Sequence, residues 1–287
     1  MSCRFLLPAA AVALIALGPW IAFAQRVRAP VAPPPADRVL VPAGAFTMGA
    51  DTGGEPDERP AHRVELRAFR IDRTELPREH YVRCVRAGVC SDIPAPARFS
   101  SARQPVIVVS WPMARRYCRW AGGRLPTEEE FEKAAGGTDR RVYPWGNEPP
   151  TLERAVYAQP MGTGATAPVG THPAGASPYG ALDMAGNVWE WTETTYDPYA
   201  YQRPTQTATC ESALAAYADL RRRGLWAFTG AYGIPEACHR VLRGGAWNYR
   251  PQGLRVTNRV HHAPDFRGLV AGFRCAADVP EVPAGAP

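Results

Sequence analysis

The chain has 287 residues, of which 46% are hydrophobic and 21% charged, and its formal net charge is +6. This composition suits one large or two small globular domains, and it excludes a chain that is disordered throughout. The arginines are scattered among acidic residues, without a basic stripe interleaved with aromatics, so nucleic acid is not expected as a partner.

The N-terminus has the pattern of an export signal. An apolar run follows Arg4 and ends in an A-x-A cleavage pattern at residues 22–24, so the sequence predicts a signal peptide over residues 1–24. A retained membrane anchor is the alternative, but Pro8 and Pro19 interrupt the run. We therefore expect an exported protein, periplasmic or secreted, with no stable membrane anchor after cleavage.

Cysteine usage agrees with export. Cys3 leaves with the signal peptide, and an even number of cysteines remains for an oxidising compartment. This predicts three disulfides and leaves their connectivity open. The remaining cysteines are Cys84, Cys90, Cys118, Cys210, Cys238 and Cys275.

Proline-rich segments bound the folded part of the chain. Residues 25–37 are typical of an extended linker, and residues 280–287 of a flexible tail. No comparable break lies between them, so the sequence predicts a single domain over residues 38–279. Its elements are short and its turns many, which indicates an α+β fold with low regular secondary structure.

Strands are predicted first in chain order. Arg38–Pro42 and Ala45–Met48 flank a Pro-Ala-Gly turn, and Arg63–Ile71 alternates apolar and polar residues. From about residue 140 onward the chain is rich in Gly, Pro and Trp, so loops and short strands are expected there.

Helices are predicted between these strands and residue 140. The first runs from Pro77 to Ala87, and the second begins after Ser110 as its cap. The third has Thr127 followed three residues later by Glu130, which is the pattern of a capping box.

Several segments carry a family resemblance, in that family's order. They include GRLPTEEEFEKAA (123–135), GNVWEWT (186–192), RVLRGGAW (240–247) and GFRCAAD (272–278). On these segments the chain is identified as a divergent member of the formylglycine-generating-enzyme, or sulfatase-modifying factor, family. The resemblance implies a C-type-lectin-like fold with little regular structure, disulfide staples and a shallow surface groove.

The resemblance also orders the cysteines. Cys118 and Cys275 occupy positions that family members join as a disulfide. Cys84 and Cys90 flank the end of a predicted helix and can close a short loop. The pair Cys210–Cys238 would then staple the insertion between these two residues, which stabilises the fold by roughly 3–4 kcal/mol in the chain-entropy account.

The catalytic cysteines of the family are missing. Its enzymes bind copper(I) with two cysteines separated by four residues, because this soft ion prefers thiolates. The resemblance places these positions on Pro251 and Val256, and residues 244–274 contain no cysteine at all. We therefore expect no copper and assign no catalytic residue.

The GNVWEWT segment matches a calcium site of the family. Calcium is a hard cation that takes oxygen ligands, and Asn187 and Glu190 would supply them, with Asp183 as a further ligand. In the alternative interpretation Asn187 bonds a turn and Glu190 pairs with an arginine.

The same segments supply candidates for the groove. The tryptophans also fit a hydrophobic core, and Arg259, like Arg255 and Arg274, also fits a loop held by bidentate bonds. Adjacent histidines point in different directions on an extended chain, so a solvated histidine pair is preferred over a metal site. The groove candidates are Trp191, Trp247, Arg259, His261 and His262.

Three functions stay open. The first is a binding or accessory module whose groove recognises an extended peptide, protein or glycan client without redox chemistry. The second is an oxidoreductase of different chemistry, resembling the periplasmic branch of the family that matures the pyoverdine siderophore and also lacks the cysteine pair. The third, a formylglycine-generating oxidase acting on sulfatase cysteines, is the least expected because its thiolates are missing.

Overall fold

The computed structural model describes residues 31–225, 228 and 233–280. The predicted signal peptide 1–24, the first part of the linker 25–37 and most of the tail 280–287 lie outside the described residues. None of the helices in the described ranges is long and apolar enough to span a membrane. The first strand begins at Arg38 and the last ends at Asp278.

The N-terminal strands lie in two small sheets, one of which also contains the last strand of the chain. In the first, β4 (Phe69–Asp72) lies between β1 (Arg38–Val41) and β9 (Ala276–Asp278), and all pairs are antiparallel. The second is the antiparallel pair of β2 (Gly44–Met48) and β3 (His62–Leu66). The predicted single strand Arg63–Ile71 is therefore wrong. It is two strands, because β3 and β4 pair with partners in different sheets and the chain must turn between them.

A four-stranded sheet forms the centre of the fold, in the order β7-β6-β5-β8. Trp189 and Trp191 on β5 are fully buried, and they belong to a core that also contains Tyr117 and Leu125. Burial of this apolar area is the main stabilising contribution of the sheet. Its strands are β5 (Trp189–Thr195), β6 (Arg240–Arg243), β7 (Arg259–His262) and β8 (Ala271–Gly272).

The predicted helices are present as α1 (Arg78–Arg86), α2 (Trp111–Trp120) and α3 (Glu128–Gly136). The capping box of α3 is confirmed: the Thr127 hydroxyl accepts from the Glu130 backbone N–H, and the Glu130 carboxylate accepts from the Thr127 N–H. Ser110 occupies the N-cap position of α2, but its side chain makes no capping hydrogen bond.

A fourth helix, α4 (Cys210–Arg222), contradicts the expectation of only loops and short strands after residue 140. Its N-terminus has a reciprocal cap between Thr209 and Ser212. Ala213, Ala216 and Leu220 recur at helical spacing and are buried. The Gly-rich and Pro-rich character of the surrounding chain hid this local pattern.

All three predicted disulfides are present: Cys84–Cys90, Cys118–Cys275 and Cys210–Cys238. The first closes the loop after α1, the second links α2 to the chain just before β9, and the third joins the start of α4 to the segment before β6. Bonds of this kind are typical of proteins that fold in an oxidising compartment.

Candidate functional site

Two glycines determine the backbone conformation of the chain directly after β6. Gly244 and Gly245 both have positive φ, and a Cβ on Gly245 would lie 2.8 Å from the carbonyl oxygen of Gly253. Substitution of either glycine is therefore strained. The Trp247 N–H donates to the Asn187 carbonyl at 2.9 Å, so the RGGAW and GNVWEWT segments lie side by side.

Pro251 and Val256, the positions to which the family resemblance assigns copper ligands, offer no ligand atom. Pro251 begins a short 3-10 turn that ends at Leu254. Val256 packs against Gly136, and its backbone N–H donates to the Val142 carbonyl at 2.9 Å. Every cysteine in the described part of the chain is in a disulfide. These residues do not fit a copper(I) centre, which needs thiolates.

An open cleft of about 360 Å³ lies beside Val256, and we refer to it as the Val256 cleft. Its rim carries an ion pair between Asp51 and Arg140, 2.7 Å apart, with both side chains more than half exposed. Exposed pairs of this kind contribute little stability, so a ligand can replace one partner. The cleft is lined by the loop 49–54, Glu132, Arg140, Arg141, Arg255 and Val256.

Buried ion pairs lie behind this cleft, and Glu132 is the member of the group that lines it. Arg243 pairs with Glu128 at 2.9 Å and with Glu132, and Arg259 binds both oxygens of Glu128 at 2.8 Å. Glu132 also accepts from the Gly49 N–H at 2.6 Å, which ties the floor to the glycine-containing loop. We call the two carboxylates and two arginines the floor cluster.

Two neighbouring carboxylates beside the floor cluster differ in their surroundings. Burial raises the pKa of Asp57 to about 6, although Arg259 and a hydrogen bond from the Tyr196 hydroxyl oppose the rise. Burial also acts to raise the pKa of Glu58, but its bonds to Arg255 at 2.6 and 2.8 Å bring that pKa below its usual value.

Four of the five groove candidates are wrong, because they lie inside the protein. Trp191 and Trp247 are 0% exposed and donate to the Val109 and Leu269 carbonyls. Arg259 is 3% exposed and belongs to the floor cluster, and His261 is 2% exposed. A large aromatic ring or a fully paired guanidinium is stable in a core, so residue type alone did not identify surface positions.

The two adjacent histidines have separate surroundings, as expected for an extended chain, but the predicted solvated pair is wrong because His261 is 2% exposed. His261 stacks on Tyr196 with ring centroids 4.0 Å apart and has its Nδ1 2.9 Å from that of His239. His262 is half-buried and stacks on Phe266 at 3.8 Å. Burial lowers the pKa of His261 to about 2 and that of His262 to about 4, so both are neutral at neutral pH.

Among the predicted calcium ligands, Glu190 is held by Arg274, which binds both of its carboxylate oxygens at 2.7 Å. Asn187 bonds Ala167 and Glu75, and Asp183 accepts from the Gly170 N–H. These are the contacts of the alternative interpretation, and calcium binding stays a prediction. In the described ranges no group of three or more His, Cys, Asp or Glu side chains has a metal-binding arrangement.

We call Glu75, Asp183, Glu190 and Arg274 the Arg274 cluster. All three carboxylates are buried, and burial raises the pKa of each. The negative charges of Asp183 and Glu190 raise the pKa of Glu75 further. The loop-holding roles predicted for Arg255, Arg259 and Arg274 are confirmed by their bidentate pairs with Glu58, Glu128 and Glu190.

Sequence reasoning missed the walls of the Val256 cleft. The signals were the GADTGG loop at residues 49–54 and the consecutive Arg140 and Arg141. Arg140 has a positive φ, which is uncommon for a residue other than glycine. Neither signal belongs to a metal or catalytic motif, so neither was distinguishable from an ordinary surface turn.

Comparison with known proteins gives consistent relatives. The sulfatase-modifying factor enzyme 1-like domain matches residues 23–279. Hercynine oxygenase of Mycobacterium tuberculosis is 35% identical over 82% of this chain, but the chain spans only 59% of that protein. The inactive C-alpha-formylglycine-generating enzyme 2 of Mus musculus is 31% identical, covering 90% of this chain and 91% of its own length.

Among solved structures, PvdO from Pseudomonas aeruginosa superposes with a TM-score of 0.65 at 25% identity. The match covers 84% of this chain and 94% of PvdO. CarF, at 21% identity, superposes with a TM-score of 0.58 over 86% of this chain and 99% of its own. The predicted fold class is therefore confirmed: the α+β architecture with three disulfides and few regular elements is that of the formylglycine-generating-enzyme fold.

Proposed function

The chain belongs to the family of sulfatase-modifying factor enzyme 1-like domains, and we propose that it acts there as a module that binds an extended peptide or glycan client. In this proposal it performs no copper-dependent formylglycine chemistry. The observation that carries the proposal is the set of side chains at the family's copper positions. Pro251 and Val256 supply no thiolate, and the described cysteines are all in disulfides.

The Val256 cleft supports a binding role. Its volume of about 360 Å³ is open to solvent on one side of the domain, and pockets in this size range accommodate small ligands or a few residues of a chain. Residues 49–54 form one wall, and Asp51 and Arg140 place both signs of charge at the rim. An extended peptide can carry charges that match them.

One experiment tests the absence of formylglycine chemistry. A peptide with the sulfatase motif Cys-x-Pro-x-Arg is incubated with the protein in air, with copper supplied, and its mass is then measured by mass spectrometry. We expect an unchanged mass. Loss of sulfur and gain of an aldehyde, dependent on copper and abolished by a copper(I) chelator, would overturn the proposal. The double variant Pro251→Cys with Val256→Cys shows whether the groove still accepts this peptide once thiolates are present.

A second experiment tests binding in the Val256 cleft. Peptide and glycan arrays are probed with the wild type and with Thr52→Trp, which places a large ring in the cleft lining. Leu152→Trp is the matched control, since Leu152 is exposed and outside the cleft. We expect array spots that the control retains and Thr52→Trp loses. Arrays on which every bound spot tolerates Thr52→Trp contradict the proposal.

An oxidoreductase of different chemistry is the second candidate. It is favoured by the 35% identity to hercynine oxygenase and by the superposition on PvdO. Oxygen consumption with hercynine and a thiol, together with elemental analysis of the purified protein, distinguishes it from the binding module. Metal-dependent oxygen uptake would favour this candidate, and a bound client without oxygen uptake would favour the first.

We also propose that the protein is exported through the signal peptide over residues 1–24. The three disulfides support this because such bonds persist in oxidising compartments. N-terminal sequencing of the protein from a cell-envelope fraction should begin at Gln25. A mature chain that still begins at Met1 in the cytosolic fraction would contradict export.

A further inference from the structure

The outer face of α2 forms a trough of about 500 Å³, and none of its lining residues lines the Val256 cleft. Pro112 and Val89 supply apolar surface, and arginines follow one another along the helix at positions 115, 116 and 119. We call this surface the α2 trough. Its lining residues are Val89, Trp111, Pro112, Arg115, Arg116, Arg119 and Trp120.

Two guanidinium groups beside the trough are held in place by Trp111. The Arg240 guanidinium lies 4.1 Å from the centre of the indole ring and that of Arg115 lies 5.0 Å from it. The indole N–H donates to the Thr192 carbonyl at 2.9 Å. Arg240 also donates to the Glu193 carbonyl at 2.7 Å. Because these arginines are already ordered, binding an anion costs them little side-chain entropy.

Positive charge exceeds negative charge on this surface. Arg115 pairs with Glu193 at 2.9 Å. Arg116 and Arg119 are exposed, and within the described ranges neither has a carboxylate at ion-pair distance. Three arginines line the trough, and among the described residues Glu193, which pairs with Arg115, is the one carboxylate at ion-pair distance from them.

A second cavity adjoins the α2 trough. It has a volume of about 520 Å³, and Glu193 and Arg240 line it. Since Glu193 pairs with Arg115 and Arg240 lies over Trp111, only this small group of side chains separates the cavity from the trough. Five threonines line the cavity, namely Thr127, Thr194, Thr195, Thr205 and Thr207, but Glu128, Glu129 and Glu193 line it as well, so carboxylates outnumber its one arginine, Arg240.

We propose that the α2 trough binds an acidic polysaccharide, a chain bearing carboxylate or sulfate groups. The arginine forks match the geometry of these anions. The indole of Trp120, which lines the trough, supplies aromatic surface for the apolar face of a sugar ring. A polysaccharide fits this surface better than a membrane does, because the trough is a concave surface with a volume of about 500 Å³. This site is independent of the client-binding function proposed for the Val256 cleft.

Binding is measured by calorimetry at low salt with polygalacturonate, heparin and neutral dextran. We expect at least one acidic chain to bind and dextran not to bind. The variant Arg116→Glu with Arg119→Glu should weaken that binding at least tenfold, and added salt should weaken it too. Both residues are exposed, so the melting temperature should stay within a few degrees of the wild type.

The matched control is Arg70→Glu with Arg250→Glu, two exposed arginines outside the trough and the cavity. It makes the same change in net charge and should keep the affinity. Equal losses in the two variants would mean that only net charge matters, which overturns the site. Failure of both acidic chains to bind overturns it as well. So does arginine-dependent binding to phosphatidylglycerol vesicles without binding to either chain, because the occupant is then a membrane.

Discussion

Two buried groups of charges lie in this domain, and their balance differs. The floor cluster has two carboxylates, Glu128 and Glu132, against two arginines. The Arg274 cluster has three carboxylates against one arginine, and only Glu190 among them forms an ion pair with it. In the first cluster the buried charges compensate one another. In the second, negative charge is in excess.

The difference shows what buried charge requires. An isolated ion in a protein interior is costly, so it must be paired, protonated or bound to a cation. Burial and neighbouring carboxylates hold the pKa of Glu75 well above its usual value. A raised pKa favours the protonated, uncharged form of this buried carboxyl. Pairing joins the floor cluster to the loop at residues 49–54 through Glu132, whereas the Arg274 cluster depends on the raised pKa of Glu75 and on the pair between Arg274 and Glu190.

The largest expected effect comes from unbalancing the floor cluster. Glu128→Gln leaves the buried Arg243 and Arg259 without their shared carboxylate, and it should lower the free energy of unfolding by about 3–5 kcal/mol. Denaturant unfolding measures this change. Glu129→Gln is the control, because the neighbouring Glu129 takes part in none of these ion pairs. Similar losses in both variants would show that the pairs do not carry the stability.

The pH dependence of stability tests Asp57, the carboxylate beside the floor cluster. The pKa of Asp57 rises from 3.8 to about 6 on folding, so the unfolded chain loses this proton first as the pH rises. The stability from the protonated form is complete below pH 3.8 and is lost as the pH rises to about 6. The total is about 3 kcal/mol.

The variant Asp57→Asn keeps an acceptor for Tyr196 but has no proton to lose. Its free energy of unfolding, relative to the wild type, should therefore increase between pH 4 and pH 7. Denaturant unfolding at several pH values gives the two curves. Parallel curves across that range would contradict the assignment of a raised pKa to Asp57.

The sequence predicted what local patterns determine. The Thr127–Glu130 capping box, the end of the first helix near Ala87 and the family segments can each be recognised within a few residues. Cys118 and Cys275 lie 157 positions apart, and only the family resemblance joined them. The helix α4 had a local signature too, but the composition of its surroundings outweighed that signature in the prediction.

The candidate site was less predictable because it depends on distant partners. Arg259 lies 131 positions from Glu128, and nothing near Arg259 in the sequence indicates that this pair is buried. The cleft rim likewise joins Asp51 to Arg140 across 89 positions. Residue type indicated that the arginines pair with carboxylates, but it did not indicate which of them face solvent.

The excess negative charge of the Arg274 cluster makes calcium the next test. If Asn187, Glu190 and Asp183 bind calcium, a chelator should lower the melting temperature of a preparation shown to contain calcium. Added calcium should restore the melting temperature. At a hundredfold excess over the dissociation constant, calcium should add about 2.7 kcal/mol to the free energy of unfolding. Glu190→Gln also removes the partner of Arg274, so the quantity compared is the increment that calcium adds. A melting temperature that is the same with and without calcium contradicts the site.

The smallest expected effect is at the rim of the Val256 cleft. Arg140→Ala removes the ion pair with Asp51, whose partners are both more than half exposed, and it should change the free energy of unfolding by less than about 1 kcal/mol. The floor and the rim use the same residue types, so the contrast with Glu128→Gln isolates the effect of burial. Raising the salt concentration should erase what remains of the rim effect, since exposed charges are screened. A loss at the rim as large as the loss at the floor would show that the loop 49–54 depends on this pair, and the rim would then be a structural clamp rather than a place where a ligand can enter.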